Sequence, residues 1–305
     1  MHHPLRDDAV RTPDSRFDNL PGYPWAPNYR SDLPSLGGLR MHYLDEGPRN
    51  APLTYLCLHG NPAWSYLYRK MIPVFTASGH RVVAPDLIGF GKSDKPLAVA
   101  AHNVTWHRRI LLEFIEALDL QRVVLVVQDW GGILGLTLPM EAPQRYRGLL
   151  VMNTTLGTGD APLSPGFVAW RDMCARNPDF DIARLMARGN GALSTQECAA
   201  YMAPFPDPQY RAATRAFPDM VPSHREDDGA AVSRQAGMFW RAQWSGQTLM
   251  AVGMQDPVLG WDVMQALKRT IRNCPEPLQI AHGGHFVQEQ GMEIARQAVS
   301  YFSAD

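Results

Sequence analysis

The stretch VQDWGG, residues 127–132, joins an aliphatic run, Val123–Val127, to a helical pattern that starts near Gly132. A buried run that ends at such a turn and passes into a helix indicates a strand–turn–helix unit. Gly131 and Gly132 fit a sharp turn against which the helix packs closely, because such a turn leaves no room for a Cβ atom. Asp129 is then the reactive side chain that the turn presents at the end of the strand.

Asp129 has a clear chemical use at this position. An ionised carboxylate can attack an sp³ carbon without a base to activate it, and the product is a covalent ester of the enzyme. A separate base must then activate water to hydrolyse that ester. The alternative is that Asp129 only caps the helix that follows, as aspartate often does.

Further aliphatic runs lie on both sides of this turn, with helical patterns such as Trp106–Leu118 between them. Such alternation predicts an α/β fold with a mostly parallel, doubly wound sheet covered on both faces. The other predicted strands are an early antiparallel strand near Leu39–Tyr43, then Leu53–Leu58, Arg81–Ala84, Gly148–Met152, Thr248–Val252 and Leu278–Ala281.

The pattern changes between residues 156 and 233, which are helical, aromatic and interrupted by proline. We predict a helical cap domain at 156–233, inserted into one core domain formed by residues 1–155 and 234–305. Ligands of open parallel sheets bind beyond the carboxyl ends of the strands, so a cap inserted there would enclose the site. The first thirty-five residues are rich in proline and aspartate and are predicted to wrap over the surface.

A carboxylate nucleophile needs a base and an acid that orients the base, and two residues late in the chain lie at suitable positions. His285 occurs in AHGGHF, residues 281–286, between the last predicted strand and a helical stretch. Asp256 follows the preceding predicted strand, and the competing position for an acid, after the strand before that, holds Asn153. The order nucleophile, acid, histidine is that of α/β hydrolases. It makes His285 the predicted base and Asp256 the acid that orients it.

The stretch His59-Gly60-Asn61 follows the predicted strand Leu53–Leu58. This fold builds part of its oxyanion hole there, so the backbone N–H groups of Asn61 and Trp130 are the predicted donors. One such donor typically changes the rate by roughly 10²–10³. His59 itself is predicted to be structural, because it lies at a strand end before a tight turn.

Several other functions are excluded by the sequence. The net charge of -1 offers no field for nucleic acid or an anionic membrane, and no apolar run is long enough to span a bilayer. The stretch Asp86–Ser93 ends like a P-loop, but Asp86 stands where that motif needs glycine. His282 is the alternative base. A metal site at His282 and His285 is not expected, because the sequence offers no third ligand beside them.

The four cysteines are widely spaced and are predicted to be small buried hydrophobes.

The chain resembles the haloalkane dehalogenases in four stretches: HGNPAWSYLYR (59–69), GFGKSDKP (89–96), QDWGG (128–132) and HFVQE (285–289). The resemblance spans nearly the whole chain and implies an α/β-hydrolase fold. It implies hydrolysis of small haloalkanes to a primary alcohol, halide and a proton through an ester on Asp129. It implies no metal and no cofactor, with the haloalkane, water and the halide ion as partners. We expect a cytoplasmic monomer.

The position of the acid and the long cap resemble subfamily I, the branch that contains dichloroethane dehalogenase. In that branch two tryptophans bind the leaving halide, and the matching positions are Trp130 and Trp170. The presence of Asn61 resembles instead the other large branch of the family. In that branch an asparagine at this position donates the second hydrogen bond to the halide through its side chain. By the same resemblance the predicted pocket walls are Ile133, Phe167, Val221, Val258, Leu259 and Phe286.

Epoxide hydrolases are the nearest alternative, since they share the aspartate nucleophile and its turn. Their chemistry needs cap tyrosines that protonate the epoxide oxygen, and Tyr201 and Tyr210 are available here. Related folds also act as a luciferase that oxidises coelenterazine or as hormone receptors. Light emission, or ligand binding without product, would identify those functions.

Overall fold

The computed structural model describes residues 5–189 and 192–303 of the 305-residue chain. Within these residues ten strands form one large and one small sheet. The strands are β1 Ala9–Val10, β2 Asn28–Arg30, β3 Met41–Glu46, β4 Thr54–Leu58, β5 Arg81–Pro85, β6 Lys95–Pro96, β7 Val123–Val127, β8 Tyr146–Met152, β9 Gln247–Gly253 and β10 Leu278–Ile280.

The large sheet has eight strands in the order β10-β9-β8-β7-β4-β5-β3-β2. All pairings from β10 to β5 are parallel, and the pairings of β2 and β3 are antiparallel. Strands β4, β5 and β7 are buried along their whole length, which explains why their sequences are continuous apolar runs rather than alternating ones. The predicted α/β-hydrolase fold with a mostly parallel sheet is confirmed.

Helices cover the sheet and fill the long connection between β8 and β9. Asn103 caps the start of the helix Val104–Ala117, because its side-chain oxygen accepts the backbone N–H of Trp106 at 2.8 Å. The helices are α1 Ile72–Ala77, α2 Val104–Ala117, α3 Trp130–Gly135, α4 Pro165–Arg176, α5 Ile182–Gly189, α6 Thr195–Met202, α7 Ala212–Met220, α8 Ala230–Ala242, α9 Trp261–Thr270 and α10 Gly291–Phe302.

The N-terminal segment is more than the surface wrap that the sequence predicts. Strand β2 adds to the edge of the large sheet, and β1 pairs with β6 in the small one. Phe17, Tyr23 and Leu33 are buried in the core. The composition hid these contacts, because each strand is only two or three residues long and lies among prolines.

The segment predicted as a cap carries α4 to α7. The predicted boundary at residue 233 falls inside α8, and the division into two domains stays a prediction. Within the described residues, no helix is long and apolar enough to cross a membrane, and no cluster of side chains could hold a metal ion.

A buried ion cluster joins α6 to the rest of the molecule. Arg69 pairs with both carboxylate oxygens of Glu289, at 2.7 and 2.8 Å, and with Glu197 of α6 at 2.7 Å. The Tyr201 hydroxyl of the same helix donates to Glu289. Glu289 lies only four residues after His285, so this cluster ties a helix of the predicted cap to the segment of the predicted base.

Candidate active site

The turn at Asp129 is strained, and its neighbours have to be glycine. Asp129 has φ 51° and ψ -128°, a conformation that costs a residue with a side chain on the order of 1 kcal/mol or more. A Cβ atom on Gly131 would lie 1.9 Å from the Leu58 carbonyl oxygen, and one on Gly60 would lie 2.1 Å from Asp129 Oδ1. The predicted lack of room at this turn is therefore confirmed.

The Asp129 carboxylate does not cap the helix that follows it. Although Asp129 immediately precedes α3, its side chain accepts no hydrogen bond from that helix. Its Oδ1 accepts the backbone N–H of Asn61 at 2.8 Å, whereas the Trp130 N–H, the other predicted donor, makes no such bond among the described residues. Oδ2 lies 3.6 Å from His285 Nε2.

His285 lies between two carboxylates. Its Nδ1 is 2.9 Å from Asp256 Oδ2, on the side opposite Asp129. Burial lowers the pKa of the His285 imidazole, but the charges and hydrogen bonds of Asp256 and Asp129 outweigh burial and raise that pKa to about 10. With both carboxylates ionised, the imidazole is therefore a cation at neutral pH.

Asp256 is a buried anion with several donors. Its Oδ1 accepts the N–H groups of Val258 and Leu259 at 2.8 and 3.1 Å, and Oδ2 accepts from the Asn153 amide at 3.0 Å. Burial raises the pKa of Asp256, but His285 and these donors outweigh it and hold that pKa below its ordinary value.

Two residues near the triad positions were not predicted as functional. Asn153 donates to Asp256, and its carbonyl oxygen accepts the Asp129 N–H at 2.9 Å. Gln128 donates to the His285 carbonyl oxygen at 3.0 Å. The sequence did contain a signal for Asn153, because it follows a predicted strand at a position where the acid of the site could also lie. Gln128 occupies a position at which the turn motif specifies no residue type, so the motif did not indicate a role for it.

A cavity of about 360 Å³ opens above Asp129. Phe167, Val258 and Phe286, three of the predicted walls, line it. Ile133, Val221 and Leu259 are buried but do not line it. The complete lining is Asn61, Pro62, Asp129, Trp130, Phe167, Trp170, Leu185, Arg188, Gly189, Pro218, Gln255, Pro257, Val258, Gly284, His285 and Phe286.

Both predicted halide-binding tryptophans line this cavity. Trp130 is 2% exposed and packs on Phe217 of α7, with ring centroids 4.8 Å apart. Trp170, in α4, packs on Phe180 at 5.5 Å. Within the described residues neither indole N–H has an acceptor, whereas those of four other tryptophans donate to protein oxygens. Two tryptophans that line the cavity thus carry N–H donors that the described residues do not use.

Other candidate groups lie outside the cavity. His59 is fully buried, with Nδ1 donating to the Gly60 oxygen and Nε2 accepting the Leu87 N–H, as expected of a structural histidine. Tyr201 is bound to Glu289, and neither Tyr201 nor Tyr210 lines the cavity. Among the described residues that line the cavity there is thus no tyrosine that could protonate an epoxide.

Known proteins are similar to this chain over almost its whole length. A family model described as alpha/beta hydrolase fold matches residues 56–292. The haloalkane dehalogenase of Psychrobacter cryohalolentis is 42% identical over 96% of this chain and 97% of its own. That of Mycolicibacterium paratuberculosis is 40% identical over 97% and 99%. The solved haloalkane dehalogenase of Paraglaciecola agarilytica, described as tetrameric, is 49% identical, with a TM-score of 0.95 over 97% of this chain and 99% of its own.

Proposed function

Because this chain belongs to the haloalkane dehalogenases of the α/β-hydrolase fold, we propose that Asp129, His285 and Asp256 are its catalytic triad. The enzyme hydrolyses carbon–halogen bonds of haloalkanes. The observation that carries the residue assignment is the line of contacts from Asp129 through His285 to Asp256 at the floor of the cavity.

The first step is a displacement at carbon. An Asp129 carboxylate oxygen attacks the carbon that bears the halogen, the carbon–halogen bond breaks, and the halide leaves with the bonding electrons. Asp129 is then a neutral alkyl ester. In the second step water attacks Cγ of that ester while His285 Nε2 takes a proton from the water. The alcohol leaves with the other proton of the water, and the Asp129 carboxylate and the His285 imidazolium are restored. The proton released in each cycle is the one that the imidazolium gives to solvent when the ester forms.

Formation of the ester on Asp129 changes the pKa of His285, so that it can act as a base. The pKa of His285 is about 10 while both neighbouring carboxylates are ionised, so the free enzyme holds a cation that cannot accept a proton. The ester removes the charge of Asp129, and with it one of the two groups that stabilise the imidazolium. The pKa of His285 therefore falls in the intermediate that needs a base.

The leaving halide is bound by Trp130 and Trp170, which is the subfamily I arrangement. Their unused indole N–H groups support this role, because a desolvated donor stabilises an ion as it forms and the rings exclude water. Asn61 is the alternative second donor, since its side chain also lines the cavity. The backbone N–H of Asn61 already donates a hydrogen bond to the carboxylate of Asp129.

The cavity favours small substrates. Most of its lining is apolar, and a volume of about 360 Å³ fits a short or medium haloalkane but not a bulky one. We propose that residues 156–233 form the cap over it. The structure from Paraglaciecola agarilytica is described as tetrameric, so the expected monomer is checked by light scattering of the purified protein.

Trapping the ester tests the assignment. His285→Gln should react once with 1-bromohexane, release one equivalent of bromide, and carry an added hexyl group on the peptide that contains Asp129. Asp129→Ala should release no halide and carry no adduct. A hexyl adduct on another residue, or full turnover by Asp129→Ala, would refute this mechanism.

A further inference from the structure

Gln128 directly precedes the nucleophile, and its side chain is fully buried against the base. Its amide nitrogen lies 3.0 Å from the His285 carbonyl oxygen and 3.2 Å from the His285 ring nitrogen Nε2. Nε2 is the atom that must accept the proton of water. Asp129 Oδ2, at 3.6 Å, is further from Nε2 than this amide is.

Neighbouring groups fix which end of the amide faces the imidazole. The His285 carbonyl oxygen can only accept a hydrogen bond, so it requires the NH₂ end of Gln128. The Gln288 amide nitrogen lies 3.4 Å from Gln128 Oε1 on the other side and can donate to it in this orientation. A flipped Gln128 amide would place its oxygen against the His285 carbonyl oxygen, so that two acceptors would face each other.

The orientation has a consequence for the protonation state of His285. An amide N–H directed at Nε2 can donate to its lone pair but is repelled by an Nε2–H. It therefore favours the neutral imidazole that carries its proton on Nδ1, where Asp256 accepts it. Hydrogen bonding to the neutral form of a histidine lowers its pKa.

We propose that Gln128 is a positioning residue for the hydrolytic step, which keeps His285 neutral and its Nε2 ready to accept a proton once Asp129 is esterified. This inference rests on the proposed roles of Asp129 and His285. The turn motif contains the position but gives it no role, and the triad does not include it.

The other charged groups around His285 explain why such a residue is needed. Asp129 and Asp256 both favour the imidazolium, and Asp256 keeps its charge throughout the cycle. Arg188 lines the same cavity from α5 and is exposed to solvent. Glu289, in the turn that follows His285, is neutralised by Arg69. In the ester, Asp256 still favours the imidazolium form of His285. The Gln128 amide is a close buried group that favours the neutral form instead.

The pH dependence of ester decay tests the proposal. Enzyme is mixed with excess 1-bromohexane, quenched at intervals, and the alkyl-enzyme is measured by mass spectrometry between pH 5 and 10. Gln128→Leu removes the donor and should raise the apparent pKa of decay by about 0.5–1 unit. Gln128→Glu replaces the donor with a charged acceptor and should raise it by more than about 1 unit. At high pH the Gln128→Leu rate should return to within about threefold of the original.

The control is Gln265→Leu, at a half-buried glutamine of α9 that is outside the cavity lining. It should leave the apparent pKa in place. If Gln128 only supports the fold, its replacement lowers the rate equally at every pH, and the proposal fails. If no ester forms on Asp129 at all, the proposed mechanism fails instead.

A second measurement does not depend on turnover. Asp129→Asn gives a neutral side chain of similar shape to the ester carbonyl, and its His285 ring nitrogens can be titrated by NMR. Adding Gln128→Leu to this variant should raise the pKa of His285 by about 0.5–1 unit. An unchanged or lower pKa in the double variant would overturn the proposal.

Discussion

The two halves of the cavity are held in place differently. The core half, Asp129, Asp256 and His285, lies at strand ends, where buried hydrogen bonds and close backbone contacts fix each side chain. The cap half, represented by Phe167 and Trp170, comes from α4 and contributes ring packing without a hydrogen bond to the core half among the described residues. The comparison indicates that the sheet fixes the chemistry, whereas helix packing fixes which substrates fit.

The Arg69 cluster is one of the polar contacts between the predicted cap and the core, and it ends on the segment that carries His285. The Arg69 cluster holds α6, and α6 packs along α5, which presents Leu185 and Arg188 to the cavity. A displacement of α6 would thus change the cavity wall and, through Glu289, also reach the segment that carries His285. The cluster therefore couples the shape of the cavity to the predicted base.

The largest effect should come from the core half. Asp256→Asn keeps the shape of the acid but removes the charge that holds the proton of His285 on Nδ1, and an amide nitrogen there favours the wrong tautomer. We expect steady-state halide release to fall by about 10³–10⁴-fold, as for the acid of other triads. The first equivalent of bromide should still appear as a burst, because Asp129 attacks without the base. Rapid-quench measurement of bromide tests this, and turnover within about tenfold of the original would contradict the role of Asp256.

The core half could be predicted from sequence because local rules determine it. Each of its residues follows a strand that its own aliphatic run identifies, and Gly131 can be assigned from the turn alone. Gln128 and Asn153 were missed as functional residues because their roles depend on partners more than 100 residues away. The short strands β1, β2 and β6 were missed because two or three residues carry no periodicity.

The cap half could be predicted only in outline. Proline and aromatic content located the helices, and the family resemblance found Trp170 and Phe167. Ile133, Val221 and Leu259 are apolar and buried as expected, but the face that each side chain presents depends on how the helices pack. Such packing is a long-range property that the composition of one segment does not determine.

Replacing the two candidate halide donors tests how far the cap half takes part in the chemistry. Trp170→Phe keeps the ring packing but removes the indole N–H, so it should weaken bromide binding and raise the barrier to carbon–halogen cleavage by roughly 2–4 kcal/mol. Asn61→Ala should cost less, since the backbone N–H on Asp129 is retained. Bromide quenching of tryptophan fluorescence and single-turnover bromide release measure the two effects. A large loss in Asn61→Ala with a nearly unchanged Trp170→Phe would place the second donor in the core half.

The smallest effect concerns the surface where the two halves meet. Phe217 of α7 packs on Trp130 at 4.8 Å and on His107 at 4.9 Å, and His107 is stacked on His102 with ring centroids 5.2 Å apart. His102 Nδ1 lies 3.0 Å from His107 Nε2. Burial lowers the pKa of His102 to about 4. The aromatic contact between α7 and Trp130 is thus backed by a buried histidine pair that burial keeps neutral.

This pair should make folding stability fall in mild acid, and His102→Gln tests it. The unfolded chain binds a proton at His102 below about pH 6.5, whereas the folded chain does so only near pH 4, so acid favours unfolding across this interval. Between pH 7.5 and 5 the free energy of unfolding should drop by about 2 kcal/mol more in the original protein than in His102→Gln, which has no imidazole to protonate at this position. Urea unfolding at both pH values measures the difference, with His282→Gln, at an exposed histidine, as the control. Equal losses in the original protein and His102→Gln would mean that acid acts elsewhere, and that the contact through Phe217 does not depend on the charge of this pair.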